Sequence, residues 1–177
     1  GEMNISPGNL YYHFRNKEDI VENLFARYEE KIDRVIVAPD ERLPNLEDIW
    51  LQLHLVFECI WSYRFLYRDI INILSRNRSL RLRFARILKR GSANAHSIMK
   101  GLNETGVMRA SAAEIEGLST NILVLATFWL NYANIRGEKD EQQAIQKGIV
   151  QVMMLVSPFL RDNERLHMHT LSAAYQD

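Results

Sequence analysis

Between Ile5 and Ile20 the chain reads Ile5-Ser6-Pro7-Gly8-Asn9-Leu10-Tyr11-Tyr12-His13-Phe14-Arg15-Asn16-Lys17-Glu18-Asp19-Ile20. Asn9, Tyr11, Tyr12 and His13 bring an amide, two phenols and an imidazole close together, and the chemistry they share is hydrogen bonding. A side-chain amide can address an adenine edge through paired hydrogen bonds, worth about 1–3 kcal/mol of discrimination. Phenol and imidazole tips suit phosphate oxygens, which set register without reading sequence. Gly8 lets the backbone approach a base edge or a phosphate closely. Ser6 can cap a short helix through its side-chain oxygen, and Pro7 fits the first helical position. Ile5, Leu10 and Phe14 give that helix an apolar side. Lys17 adds a cation at the start of the next helix, where backbone N–H groups point outward. A purely structural helix of this length would not normally give its outer face to two tyrosines, a histidine and a glycine; a helix that meets DNA would. Tyr11 has a second reading, with its ring packed on a neighbouring helix and its hydroxyl in water.

The elements that must position this segment are helical almost throughout. A long helix starts near Asn16 or Lys17, carries Glu18 and Asp19 at its positive end, and stripes Val21, Leu24, Phe25, Tyr28 and Ile32 along one face. It ends before Pro39. Ala38 to Pro44 is a polar connector. Asn45 caps a helix expected from about Leu46 to Ser75. Asn77 to Ser79 interrupts the pattern, and another helix runs from Ser79 to about Glu104, with Gly106 just beyond. Ser111 restarts a helix reaching Ile135, followed by Gly137. The last clear helix spans Glu141 to Leu160, ended or kinked by Pro158. The tail after Arg161 is polar and is assigned no element. No strand and no repeat is legible.

Ser6-Pro7-Gly8-Asn9-Leu10-Tyr11-Tyr12-His13-Phe14, followed by Asn16-Lys17-Glu18, resembles the end of the helix-turn-helix of TetR-family transcriptional regulators. The resemblance implies an all-α chain. Residues 1–38 would hold the C-terminal part of a helix-turn-helix DNA-binding domain and a connecting helix, and residues 39–177 a helical effector-binding and dimerisation domain. It implies that Ser6, Gly8, Asn9, Tyr11, Tyr12, His13 and Lys17 occupy DNA-contacting positions. It also implies a homodimer, an inverted-repeat operator of double-stranded DNA, repression and release by a small-molecule effector. There is one departure: two helices precede this motif in the family, and here Gly1-Glu2-Met3-Asn4 reads as the end of the scaffold helix and the turn.

Two apolar stripes on each of the last two long helices bear on assembly. Ile115, Leu118, Ile122, Leu125, Trp129 and Tyr132 form one, and Leu123, Ala126, Leu130 and Ala133 a second; Ile145 to Leu160 repeats the arrangement. A helix apolar on both sides must be covered on both sides. A two-fold four-helix interface does this, with Ile122, Leu125, Ala126, Trp129, Ile149, Val152, Met153 and Val156 as the expected contacts. The alternative is that the two absent helices cover the surplus. The middle helices are rich in aromatic residues, which at helical spacing are often plain core. Helical bundles also place ligand sites among such residues, and an effector pocket is expected from Trp50, His54, Phe57, Trp61, Met99, Phe128 and Trp129. Its ligand is expected to be anionic or apolar.

Charge and composition exclude other classes. Lys and Arg total 22 and Asp and Glu total 22, so any DNA affinity must be local. Arg64 to Arg90 carries nine cationic residues against Asp69 alone, read as a solvated face or as a site for an anionic effector or for DNA phosphates. One cysteine, Cys59, rules out an internal disulfide and suits a reducing cytosol; the expected location is cytoplasmic. Gly117 to Ile135 is long and uncharged, but its Ser, Thr and Asn residues argue for a buried helix rather than a membrane span. Cys59 and His54 do not face each other, and His167 and His169 lack companion ligands, so no catalytic residue, cofactor or metal is expected. The competing reading is a dimeric helical adaptor without sequence-specific DNA binding. It explains the bundle but not the Gly8 to Phe14 run.

Overall fold

The computed structural model describes residues 16–37, 42–138 and 140–173. Asn16 opens α1 (Lys17–Val35), its side chain accepting the backbone N–H of Asp19 at 2.8 Å. This satisfies one of the N–H groups that a helix start leaves orphaned. Phe25, Tyr28 and Ile32, three and four residues apart, bury one face of α1 in the same core as the rest of the chain. The connecting helix therefore belongs structurally to the bundle that follows it.

The helix expected over 46–75 is three helices: α2 (Leu46–Ser62), α3 (Arg64–Arg68) and α4 (Ile70–Arg76). At α2, Asn45 and Asp48 form a reciprocal capping box. Arg42 grips the Asp48 carboxylate with two nitrogens at 2.6 Å, which together with the Asn45 N–H holds that carboxyl below its usual range. The breaks fall at Tyr63 and Asp69, where ψ is 28° and 22°. Neither is glycine or proline. Ile60, Tyr63, Tyr67, Ile70 and Leu74 keep helical spacing across both corners, so periodicity alone does not reveal them.

Asn77 accepts the Leu80 N–H at 3.0 Å and starts α5 (Arg78–Glu104). Gly106 closes its end at φ +75°, in the left-handed region that favours glycine. A second capping box, Ser111 with Glu114, starts α6 (Ala112–Ile135). Asp140 caps α7 (Glu141–Val156), and Ser157–Phe159 continues as one tight 3-10 turn holding Pro158. The tail is not featureless: α8 spans Asp162–Ala173 and buries Met168. A lone bridge, Met108 with Leu160, ties the α5–α6 loop to the end of the 3-10 turn, and the described residues contain no strand.

α5, α6 and α7 pack in succession; α2 lies on α1 and α7, and α1 on α5. The short α3 packs on α6, and α4 on α5. The shared centre is apolar, including Phe57, Leu66, Phe84, Leu102, Val152 and Met153. Among the described residues no helix is long and apolar enough to cross a membrane.

Candidate functional site

Ser6, Gly8, Asn9, Tyr11, Tyr12 and His13 lie outside the described residues. Lys17 is the first residue of α1, directly after its Asn16 cap. α1 is thus the element that continues the Ser6 to Phe14 segment into the bundle.

An apolar cavity of about 90 Å³ lies between α2, α5, α6 and α7 and reaches the end of α1. Leu53, Val56, Ile98, Met99, Ile122, Leu123 and Val152 supply its apolar walls, and Gln52 and Asn94 its polar side chains. Gly91 and Ala95 open space on α5. Two wall residues bear on α1. Ile36 is its C-cap, and Gln52 Nε2 donates to the Val35 carbonyl at 3.1 Å and the Val37 carbonyl at 3.4 Å. A body entering the cavity meets groups that hold the end of α1.

Of the seven residues read from the sequence as an effector pocket, only Met99 lines this cavity. Phe57 is fully buried and packs with Trp129 around Gly148, where an added methyl would fall 2.5 Å from one ring and 2.6 Å from the other. The Trp129 indole donates to the Ala144 carbonyl at 2.6 Å. His54 Nδ1 lies 2.8 Å from the Trp50 carbonyl oxygen, one turn back on the same helix, and its ring lies against the Trp50 ring. Trp61 is covered by the Arg64 guanidinium, and Phe128 is exposed on α6. The seven residues therefore do not converge. Sequence reasoning followed aromatic type, whereas the cavity is aliphatic. The available signal was the small pair Gly91 and Ala95, one turn apart beside Asn94.

The expected dimer contacts also divide. Ile122, Ala126, Ile149, Val152, Met153 and Val156 are buried within the subunit's own core, so a second copy cannot reach them without unfolding it. Leu125 and Trp129 are half-buried at the edge. The outward face of α6 carries Val124, Phe128 and Tyr132 instead, exposed by 54, 41 and 50%. With Trp129 they line a groove completed by Lys147 and Gln151 of α7. Both stripes read from the sequence turn mainly inward, and the exposed face of α6 includes Val124 and Phe128, which neither stripe contained.

Polar groups clamp α1 along α5. Glu22 accepts from Asn77 at 3.0 Å, Glu29 takes Nε and one terminal nitrogen of Arg83 at 2.8 and 2.6 Å, and Asp33 pairs with Arg90. The contacts advance in the same direction on both helices, so α1 and α5 run parallel. Deeper in, the Tyr28 and Tyr67 hydroxyls meet at 2.6 Å, buried among Phe25, Tyr63 and Phe84. Burial pushes both phenols well above their ordinary range. The Tyr67 carbonyl accepts from Asn131 of α6 at 3.1 Å, so α3 links α1 to α6. Cys59 is buried, and desolvation raises its thiol to about 11. That disfavours the thiolate, the nucleophilic form. His167 lies 3.6 Å from Glu47, joining α8 to the start of α2.

Comparison with known proteins agrees with this architecture. No curated protein matches the chain. Residues 27–168 match the family model TetR, described as a bacterial transcriptional repressor. A solved structure of a TetR-family transcriptional regulator from Marinobacter aquaeolei VT8 superposes with a TM-score of 0.85 at 32% sequence identity, covering 98% of this chain and 84% of that one. Because the family match runs from the second half of α1 into α8 and so spans most of the chain, the chain belongs to the TetR family of transcriptional regulators.

Proposed function

We propose that the protein is a homodimeric repressor that binds an inverted-repeat operator through Ser6, Gly8, Asn9, Tyr11, Tyr12, His13 and Lys17, and that a small apolar effector releases it. Asn9 reads a base edge, while the phenols, His13 and Lys17 hold phosphates. Dimerisation through the outward faces of α6 and α7 sets two recognition segments on one side of the molecule, about 34–36 Å apart or a multiple of that.

The observation that carries the release step is the cavity's wall. A volume of about 90 Å³ is small beside ligand pockets of roughly 300–1,000 Å³. A larger effector enters only by moving the walls, and two of those walls, Ile36 and Gln52, are the end of α1 and the group that holds it. Entry therefore favours a state with α1 displaced. That differential affinity is what an effector needs to shift the equilibrium away from the DNA-competent form.

The test is selection from a random duplex library with the full-length protein. The expected product is an inverted repeat, lost with Asn9→Ala and weakened with Tyr12→Ala. A helical adaptor enriches no sequence and is indifferent to both changes.

A further inference from the structure

The basic run separates into paired and unpaired cations. Between Asp69 and Glu104 the sequence holds no acidic residue. Arg83 and Arg90 are spent on Glu29 and Asp33 of α1. Among the described residues Arg76, Arg78, Arg81, Arg86 and Lys89 are exposed and make no ion pair. They are not evenly placed with respect to α1. Asn77 bonds to Glu22, and Arg76 lines the same groove as Glu18. Glu22 lies five positions beyond Lys17, about 7–8 Å of helix rise. Because α1 and α5 run parallel, Arg76, Arg78 and Arg81 stand beside the start of α1, the end to which the Ser6 to Phe14 segment connects. Arg86 and Lys89 lie two to three turns farther away.

We propose that Arg76, Arg78 and Arg81 form a second, sequence-independent DNA-contacting ridge, gripping backbone phosphates from the bundle domain next to the recognition segment. The inference rests on the operator-binding reading above. Glu18, Glu22 and Asp69 stand beside this end of the run, but among the described residues none forms an ion pair with Arg76, Arg78 or Arg81, so all three guanidinium groups keep their paired donors for phosphate oxygens.

The experiment compares R76Q/R78Q with R86Q/K89Q, two variants that remove equal charge at the near and far ends of the run. Both alter only exposed, unpaired side chains and leave the Asn77 cap in place. Fluorescence anisotropy gives Kd on the selected operator and on a scrambled duplex from low to moderate salt. Each lost phosphate contact lowers the slope of log K against log salt by about 0.9, so loss of two contacts per protomer lowers it by about 3.6 in a dimer. R76Q/R78Q is expected to show that loss, with the operator-to-scrambled ratio unchanged, while R86Q/K89Q keeps most of the wild-type slope. Equal loss in both variants makes the effect one of overall charge and overturns the ridge; so does an unchanged slope in R76Q/R78Q, or a collapse of the ratio. Failure of the operator-binding reading is a separate outcome, seen as wild-type protein that does not prefer the operator.

Discussion

Replacing Gly148 with alanine adds one methyl group where the structure has no room for it. The new carbon would sit 2.5 Å from Phe57 Cε1 and 2.6 and 2.7 Å from Trp129 Cδ1 and Nε1. These are rings rather than flexible chain ends, and Phe57 is fully buried. Overpacking by a methyl group costs about 1–3 kcal/mol. If the indole swings away, its hydrogen bond to Ala144 is lost, a further 0.5–1.5 kcal/mol or so. Alanine in a helix interior returns about 1 kcal/mol. The net expectation is a destabilisation of roughly 0.5–3.5 kcal/mol. Urea unfolding followed by far-ultraviolet circular dichroism, at one protein concentration, measures it. The crowding argument also requires that Phe57→Leu relieve the clash, so Gly148→Ala should cost less in that background, with a coupling of about 0.5 kcal/mol or more. A Gly148→Ala protein as stable as wild type, or costs that simply add, would mean that Phe57 and Trp129 enclose slack space. The assignment of this corner to packed core would then be wrong, and a ligand could lodge there.

Three other expectations follow from burial. Tyr28→Phe strands the Tyr67 hydroxyl and should cost about 1–3 kcal/mol, part of which Tyr28→Phe with Tyr67→Phe regains; unfolding of all three variants and wild type gives the coupling. Cys59 keeps its proton in the folded chain up to about pH 11 while the unfolded chain releases it near 8.5 or so. The thiol's contribution to stability is therefore intact below that lower value and is lost as pH rises toward 11, so the gap between wild type and Cys59→Ala should narrow across that window. Phe128→Glu should yield a folded monomer by sedimentation, whereas Val152→Glu, in the core, should lose its helical signal; a dimer that survives Phe128→Glu places the contact elsewhere.

Local rules made the helix ends readable. Asn45 and Ser111 cap where their side chains compete for backbone N–H groups, and Gly106 and Gly137 stop helices where φ turns positive. The corners at Tyr63 and Asp69 were not readable, because no residue there forbids a helix and the apolar spacing runs straight through them. α8 was missed because, among its described side chains, Met168 is the one that is buried. On α6 both stripes read from the sequence turn mainly inward, and the exposed Val124 and Phe128 belonged to neither, because which positions are covered depends on long-range packing against α3, α5 and α7. The cavity depends on the same packing: its walls come from five helices, and Gln52 matters for the carbonyls it reaches rather than for its neighbours in sequence. The reading of Ser6 to Phe14 as a recognition segment lies outside the described residues and rests on residue types that packing does not explain.

The central claim is that this regulator reads a specific DNA sequence. Fluorescence anisotropy of the full-length protein on the DNA upstream of its own gene, against random DNA and across a salt series, tests it most directly. The account predicts tight, sequence-selective binding with a steep salt slope, abolished in its selectivity by Asn9→Ala. Binding no tighter than to random DNA, with the dimer intact and no sequence enriched from a random library, would contradict it and leave a helical interaction module.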